Sequence, residues 1–311
     1  MTLKVPHFSW AVALDERLRA AMREDLGERG DVTSQALVPI DKLCKGEFLT
    51  KADGVLCGVN LLLPIFEIAD ELAGNRKSAV SVTLRKHDGA KIRKGDVVAT
   101  VKGSARTLLA GERTALNLLC HLSGVASQTA VYAQKIAHTK ARIIDTRKTT
   151  PLWRDLEKYA VTCGGGTNHR FGLHDMVLIK DNHLALWGAS DPAGAVNAAR
   201  KTFPKLAIEV EVVDLAGLQH VCRNSSPEMI LLDNFSVALL REAVAWCRDY
   251  FRSSKKNARA KKNHPRPLLE ASGGITLETV AAIAETGVDR ISSGALTHSV
   301  RALDLSLELK I

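Results

Sequence analysis

The sequence predicts an α/β protein whose second half is a parallel sheet with crossover helices. From residue 142 onward, strand-like apolar runs alternate with helical patterns, and nearly every run ends in a charged or small polar residue. Functional groups at the ends of many different strands favour an α/β barrel over a doubly wound sheet, where they would gather at one crevice. The strand-like runs are 142–146, 176–180, 207–213, 229–232, 267–271 and 288–292, and the helical patterns are 154–161, 192–201, 214–223, 236–250 and 277–286.

The first 140 residues have a different pattern, in which short β-prone runs lie between helices. A nearly continuous helix is predicted over 107–137, interrupted at Ser123 and Gly124, and we expect it to link a first domain to the barrel. Before it, helices are predicted at 10–26 and 60–72, and strands at 46–51, 55–58, 80–84 and 96–101.

Size and composition place the chain among ordinary globular proteins. Its 311 residues suffice for two domains, and 46% hydrophobic with 25% charged residues excludes disorder and a small disulfide scaffold. The six cysteines are too widely spaced for a zinc ribbon or a redox dithiol, which favours reduced thiols. With no apolar stretch near the ~20 residues of a membrane span, we expect a cytoplasmic protein without a membrane partner.

The net charge of +9 is compatible with nucleic acid, a membrane surface or a small polyanionic substrate. Part of the excess lies in the basic run 255–266, which is predicted to be a solvated loop. Five further cationic or imidazole residues lie at predicted strand ends or beside the triple-glycine turn 164–166. Burying such charges is costly without anionic partners, so their convergence predicts a strongly anionic ligand. These cationic or imidazole residues are Arg147, Lys148, His169, Arg170 and Lys180.

Carboxylates form a second set at the strand ends. Glu209 and Glu211 are two residues apart on one predicted strand, so both side chains point to the same face. Asp233 follows the next strand. Such clusters suit Mg²⁺, often through water, or a sugar diol, and we favour this role for Glu209 and Asp233.

Small-residue turns follow the last two predicted strands and form a third set. Their backbone N–H groups can approach a phosphate closely, and barrels often bind phosphate after their last strands. One turn contains Ser272, Gly273 and Gly274, and the other contains Ser293 and Gly294.

Eight motifs in order resemble the quinolinate phosphoribosyltransferase family over nearly the whole chain. The basic run 253–266 and Ser293 depart from the usual family pattern. The motifs are Gly111-Glu-Arg-Thr-Ala-Leu-Asn117, Asp145-Thr-Arg-Lys-Thr-Thr-Pro151, Gly164-Gly-Gly-Thr-Asn-His-Arg170, Ile179-Lys-Asp-Asn-His183, Glu209-Val-Glu-Val212, Leu232-Asp-Asn-Phe235, Glu270-Ala-Ser-Gly-Gly-Ile275 and Ser293-Gly-Ala-Leu-Thr-His298.

The resemblance implies an N-terminal α/β sandwich domain, residues 1–118 completed by 300–311, and an incomplete, open α/β barrel over 119–299. The family barrel has seven strands, one more than the six predicted here. The resemblance also implies a homodimer in which Arg113 of the partner subunit reaches the active site.

The implied reaction transfers phosphoribosyl from phosphoribosyl pyrophosphate to quinolinate, with loss of CO₂, in NAD biosynthesis. Lys148 and Lys180 would serve both substrates as catalytic residues, and Mg²⁺ would be held by Glu209 and Asp233, which also face the ribose. The quinolinate-binding residues would be Arg147, His169, Arg170 and Arg113 of the partner subunit, and the 5-phosphate would bind at Ser272, Gly273, Gly274, Ser293 and Gly294.

Three other functions are open to test. A related barrel phosphoribosyltransferase with another acceptor, such as a paralogue associated with molybdenum uptake, is disfavoured by the full set of cations. An aldolase would use Lys180 as a Schiff-base lysine, which borohydride trapping would reveal. A nucleic-acid-binding protein would use the run 255–266 and bind with steep salt dependence, but we expect no nucleic-acid partner.

Overall fold

The computed structural model describes residues 13–73, 80–188, 190–256 and 265–310, so most of the basic run 255–266 lies outside the described residues. The strands are β1 Leu43–Thr50, β2 Gly54–Val55, β3 Ser81–Leu84, β4 Lys91–Ile92, β5 Val97–Ser104, β6 Arg142–Ile144, β7 Val177–Ile179, β8 Ile208–Val212, β9 Met229–Asp233, β10 Leu268–Ser272, β11 Arg290–Ser292 and β12 Leu305–Lys310. The helices are α1 Leu14–Leu26, α2 Val32–Leu37, α3 Leu62–Leu72, α4 Ala105–Lys135, α5 Arg154–Cys163, α6 Asp181–Trp187, α7 Pro192–Thr202, α8 Leu215–Asn224, α9 Val237–Lys256, α10 Val280–Ala284 and α11 Ala295–His298, with a 3₁₀ turn at Val59–Leu61.

The chain divides into two compact units. The N-terminal unit comprises Met1–Ala130, Thr149–Gly165 and Leu296–Ile311. The barrel unit comprises Val131–Lys148 and Gly166–Ala295.

An antiparallel sheet in the order β12-β1-β5-β3 forms the N-terminal unit's main layer. Burial alternates along the second half of β1, as expected for a sheet with one face on the core and one toward solvent. Phe48 of β1 is fully buried and its ring centroid lies 6.1 Å from that of Phe66 on α3. The apolar face of α3 therefore covers the inner face of this sheet.

Helix α4 is continuous, so the predicted interruption at Ser123 and Gly124 is wrong. Both residues serve close packing instead. The Ser123 hydroxyl accepts a hydrogen bond from the Cys57 backbone N–H at 3.0 Å, and a Cβ added at Gly124 would lie 2.5 Å from the Arg301 carbonyl oxygen. Small residues inside a helix pattern can thus mark a close approach of another segment rather than a break.

A parallel six-stranded sheet forms the barrel unit, in the order β6-β11-β10-β9-β8-β7. Every residue of β8 is buried, which is typical of parallel strands covered on both faces. Thr167 makes one further parallel bridge, to Ile144 of β6. Among the described residues the barrel sheet is open, with β6 and β7 as its two edge strands, and the Thr167 bridge is an isolated pair beside β6.

Element boundaries differ from the sequence-based expectation mainly where turns replace regular helix. The helix predicted over 10–26 begins at Leu14, with residues 10–12 outside the described part, and the helix predicted over 277–286 contracts to Val280–Ala284. The strand predicted over 55–58 ends at Val55, because Gly58 adopts a left-handed conformation (φ +97°) that starts the 3₁₀ turn. Of the described helices, none combines the length and the apolar character needed to cross a bilayer.

Candidate active site

Polar groups line the edge of the barrel sheet where its six parallel strands end, which is the edge that carries the active site in α/β barrels. His169 and Arg170 join this edge because Thr167, just before them, is bridged to β6. The groups at or just beyond the strand ends are Arg147 and Lys148 after β6, Lys180 after β7, Glu211 in β8, Asp233 in β9, Ser272 with Gly273 and Gly274 at β10, and Ser293 with Gly294 after β11.

Asp145, fully buried just after β6, fixes the segment that carries His169. Its Oδ1 accepts the His169 backbone N–H at 2.9 Å, and its Oδ2 accepts the Asn168 side-chain amide at 2.5 Å. The Thr167 backbone N–H donates to the Ile143 carbonyl at 2.9 Å, which ties the same segment to β6. Three consecutive residues, 167–169, are therefore held at the strand ends.

The His169 ring is engaged at both nitrogens. Nδ1 accepts the Arg170 backbone N–H at 2.7 Å, so the ring proton of the neutral imidazole is on Nε2. Nε2 then donates to Glu209 Oε2 at 2.7 Å, and Glu270 Oε2 lies 3.7 Å from the same nitrogen. The three residues form a compact buried cluster, with their ligand-type atoms within 4.8 Å of one another.

Glu209 and Glu270 are 0% and 1% exposed, so two carboxyl groups share an almost water-free site. Burial, and after it the charge of Glu209, raises the pKa of Glu270 well above its ordinary value of 4.5. Among the described residues, Glu209 Oε1 and Glu270 Oε2 accept no hydrogen bond. Since two adjacent buried carboxylates repel each other, the protonated form of Glu270 is favoured.

Arg147 and Arg170 lie close enough to influence each other. Burial, and next the positive charge of Arg147, lowers the pKa of Arg170, while Glu209 acts in the opposite direction. Arg170 Nη1 also donates to the carbonyl of Met176, the residue before β7, at 3.2 Å. The site thus holds two neighbouring guanidinium groups, a geometry suited to a ligand with more than one negative charge.

Lys180 and Glu211 form an ion pair at the ends of β7 and β8, with 2.7 Å between Lys180 Nζ and Glu211 Oε2. The Lys180 side chain is 44% exposed and that of Glu211 is 8% exposed. Glu211 lies two residues nearer the carboxyl end of β8 than Glu209, which has no exposed surface. Of the two glutamates, Glu211 is therefore better placed to meet a ligand entering at this edge.

The turn after β10 is packed tightly against the end of β9. The Asn234 side-chain amide donates to Asp233 Oδ2 at 2.7 Å, and its backbone N–H donates to the Ser272 carbonyl at 2.9 Å. Gly273 has φ +91°, and a Cβ added there would lie 2.1 Å from Asn234 Oδ1. This position needs glycine for both its backbone conformation and its space, and Gly274 is left-handed as well (φ +61°).

The turn after β11 is less accessible than the sequence suggests. Ser293 is 3% exposed, and its backbone N–H donates to the Ile144 carbonyl at 3.1 Å. A hydrogen bond also links the Ser293 side chain to Tyr132, whose pKa is raised by burial. The Ser293 N–H is thus already used within the sheet, and Gly294 is the more exposed residue of this turn.

Arg113 lies on the exposed side of α4 in the N-terminal unit. Among the residues that the structure describes, no acidic side chain forms a salt bridge with it. The local helix-surface ion pair that would be its simplest role is therefore not seen in this part of the chain.

Two residues important to this geometry were not among the sequence-predicted site residues. Asp145 directly precedes the Thr-Arg-Lys run. Its importance follows from its complete burial at a strand end, which the sequence alone does not reveal. Glu270 could have been found, because it lies two residues before Ser272 on the same strand and so shares its face.

An open parallel barrel with paired arginines, carboxylates and glycine turns at its strand ends defines an α/β-barrel protein that binds an anionic ligand. Comparison with known families is more specific. Residues 31–123 match the family described as "Quinolinate phosphoribosyl transferase, N-terminal domain", and residues 125–308 match its "C-terminal domain". The chain belongs to the quinolinate phosphoribosyltransferase family.

Individual relatives agree with this assignment over almost the full chain. The chain is 43% identical to a "Nicotinate-nucleotide pyrophosphorylase [carboxylating]" of Mycobacterium leprae, covering 96% of this chain and 97% of the relative. It is 38% identical to a "Quinolinate phosphoribosyltransferase [decarboxylating] 1b" of Nicotiana tabacum, covering 94% and 81%. The solved nicotinate-nucleotide pyrophosphorylase of Francisella tularensis superposes with a TM-score of 0.83 at 34% identity, covering 95% of each chain.

Proposed function

We propose that this protein transfers the phosphoribosyl group of phosphoribosyl pyrophosphate to quinolinate, giving nicotinate mononucleotide, pyrophosphate and CO₂. Beyond family membership, the observation that carries the proposal is the pair of arginines at the strand ends, Arg147 and Arg170, which lie close enough to interact electrostatically. Quinolinate bears two carboxylates on one ring, and two adjacent guanidinium groups match that charge pattern.

The acceptor would be held mainly by charge-assisted hydrogen bonds from Arg147 and Arg170. Lys148 is exposed beside them and is proposed to contact both quinolinate and the pyrophosphate. Lys180 would do the same from the end of β7, where Glu211 holds its ammonium group in place. A substrate that carries only one carboxylate would leave part of this cationic set without a counter-charge.

The phosphoribosyl donor is proposed to bind along the β8–β11 side of the same edge. The exposed glycine turn after Ser272, Gly273–Gly274, leaves backbone room for the 5-phosphate, and Gly294 adds a second small residue. The helices that follow are short, so the turn amides rather than a long helix dipole would supply the attraction.

Magnesium fits the oxygen-rich side of the site. Asp233, together with Glu211, offers carboxylate oxygens at neighbouring strand ends, the donor type that Mg²⁺ takes in proteins, usually with several waters. Glu209 was the sequence-based choice, but its side chain has no exposed surface and is bonded to His169. When bound, the metal would neutralise charge on the departing pyrophosphate.

The chemistry then requires no covalent enzyme nucleophile. The pyridine nitrogen of quinolinate attacks the anomeric carbon of the ribose as the bond to pyrophosphate breaks, through a transition state with oxocarbenium character. The pyridinium formed stabilises the carbanion left when the adjacent carboxylate departs as CO₂, and a proton then adds at that carbon. The protein's part is to orient the two substrates and to stabilise their negative charges.

Incubation with quinolinate, phosphoribosyl pyrophosphate and Mg²⁺, with CO₂ release as the readout, tests the proposal directly. Nicotinate, which lacks the second carboxylate, is the matched control acceptor. Comparable kcat/KM for nicotinate would show that quinolinate is not the acceptor. Trapping of Lys180 by borohydride with a carbonyl substrate would instead indicate the aldolase alternative.

We further propose a cytoplasmic homodimer in which Arg113 of the partner subunit completes each site, on the basis of the exposed position of Arg113 on α4. Arg113→Ala and Arg147→Ala homodimers should both be nearly inactive, and subunit exchange between them should restore activity. Each heterodimer has one site with both lesions and one with neither, so random equal mixing should recover about one quarter of wild-type sites. No recovery despite demonstrated exchange would show that Arg113 acts within its own subunit.

A further inference from the structure

We infer that Glu209 and His169 form a positioning pair that fixes Arg170 for the quinolinate carboxylates, and that Glu209 does not bind the phosphoribosyl donor or its metal. This inference rests on the proposed function. It assigns Glu209 to the acceptor side of the site, whereas sequence reasoning placed it on the donor side.

A chain of hydrogen bonds connects Glu209 to Arg170. Glu209 Oε2 accepts the Nε2–H of His169 at 2.7 Å, and His169 Nδ1 accepts the backbone N–H of Arg170 at 2.7 Å. The first bond fixes the tautomer in which Nδ1 is an acceptor, so the second bond depends on the first. Removal of the carboxylate would free the ring to turn and release the Arg170 backbone.

The same segment is anchored from the opposite side, which makes the position of Arg170 well determined. Asp145 binds the backbone of His169 and the side chain of Asn168, and Arg170 Nη1 donates to the Met176 carbonyl. Glu209, on β8, therefore supplies a support that the bonds from β6 do not. A guanidinium held at both its backbone and its side chain is preorganised for a bidentate carboxylate.

The two glutamates of β8 differ in how deeply they are buried. They point to one face, yet Glu209 lies two residues, about 6.6 Å, farther from the strand end than Glu211. Glu209 is 0% exposed, and its Oε2 is already bonded to His169. A ligand at the strand ends therefore meets Glu211, whose Oε2 is paired with Lys180, before it meets Glu209.

Charge supports the same assignment. Burial, and next the charge of Arg147, lowers the pKa of Arg170, whereas the charges of Glu209 and then of Asp175 raise it. The Glu209 carboxylate thus compensates the arginine pair before the substrate arrives. A residue with this role affects acceptor binding rather than donor binding.

Steady-state kinetics of Glu209→Ala, His169→Ala and the double variant test the inference. Each single variant should raise the KM for quinolinate about tenfold or more, as expected for loss of a buried hydrogen bond to a charged group. The KM for phosphoribosyl pyrophosphate and the Mg²⁺ concentration for half-activation should stay near the wild-type values. Because the two residues act in series, the double variant should be little worse than the more damaged single variant.

Glu209→Gln and Glu211→Gln provide the matched comparison on one strand. Glu209→Gln keeps an oxygen that accepts from His169, so its quinolinate KM should rise less than that of Glu209→Ala. Glu211→Gln should instead change the donor KM and the Mg²⁺ dependence. If Glu209→Ala does not fold, as judged by its thermal unfolding, Glu209→Gln and His169→Ala provide the same discrimination.

Two outcomes would overturn the inference. One is a rise in donor KM or Mg²⁺ requirement for Glu209→Gln similar to that for Glu211→Gln. The other is an unchanged quinolinate KM in both Glu209→Ala and His169→Ala. Failure of the proposed function is distinguishable, because wild-type protein would then release no CO₂ from quinolinate.

Discussion

Two glutamates in two sheets of this molecule have opposite environments. Glu47 of β1, in the N-terminal sheet, receives hydrogen bonds from Lys310 and Lys45, which lower its pKa to about 2. Glu270 of β10, in the barrel sheet, is buried beside Glu209, and its pKa is raised well above the ordinary value. A glutamate is thus a charged member of a surface ion pair in one sheet, whereas in the other sheet burial favours its protonated form.

The difference follows from how each sheet is covered. One face of the antiparallel N-terminal sheet meets solvent, where a charge is tolerated and its pairing contributes little to stability. Both faces of a parallel barrel strand are covered, and every residue of β8 is buried, including Glu209 and Glu211. An ionisable residue in such a strand needs a specific partner, so it is a stronger functional signal than one in the first sheet.

The largest expected effect is loss of the arginine pair on the barrel side. Arg147→Ala or Arg170→Ala should nearly abolish quinolinate turnover, since truncating one partner of a buried charged pair costs about 2–5 kcal/mol. Lys45→Ala, which removes a surface cation of the N-terminal sheet, is the control and should leave kcat/KM unchanged. Wild-type-like kcat/KM in both arginine variants would move the acceptor site elsewhere.

A smaller, more selective effect is expected at Asp233. Asp233→Asn should weaken Mg²⁺-dependent use of phosphoribosyl pyrophosphate about tenfold, by loss of a hard anionic ligand, while the quinolinate KM changes little. Titration of activity with Mg²⁺ at several donor concentrations measures this. Unchanged donor KM and kcat would place the metal site at other residues.

Two glycines with the same backbone angle allow the two regions to be compared directly. Gly95 and Gly273 both have φ +91°, but a Cβ added at Gly95 meets nothing within 4 Å, whereas at Gly273 it meets Asn234 Oδ1 at 2.1 Å. Gly95→Ala should therefore cost only the backbone strain, about 1–3 kcal/mol. Gly273→Ala should cost more in urea unfolding and also raise the donor KM. Equal costs would show that Asn234 moves away freely.

The smallest expected effect is a pair of opposite pH dependences of stability. Because the folded pKa of Glu47 is about 2, its contribution is present above 4.5 and lost as pH falls toward 2. Because the folded pKa of Glu270 is raised, the contribution of Glu270 to stability falls as pH rises above 4.5. The difference in unfolding free energy between wild type and Glu47→Gln should thus rise with pH, and that between wild type and Glu270→Gln should fall with pH. Slopes of the same sign would contradict the assignment.

The functional residues at the end of each barrel strand could be predicted from the sequence, because each apolar run ends at a charged or small residue, as at Lys180 and Asp233. Knowing which strand carries a residue does not show how deeply its side chain is buried below the strand ends. Whether Glu209 or Glu211 reaches a ligand depends on where the strand ends relative to its neighbours, which is set by sheet register. The need for glycine at position 124 of α4 likewise comes from a residue 177 positions away, Arg301, whose close approach no local pattern encodes.

The pairing of β12 with β1 has a consequence for how the protein is made. Residues 305–310 are synthesised after all the strands of the barrel, yet they form an edge strand of the N-terminal sheet, where they pair with β1. During translation, β1 therefore has an open edge for as long as the ribosome takes to complete the barrel. The N-terminal unit, most of whose residues leave the ribosome first, therefore has its sheet completed only after the barrel strands have been synthesised.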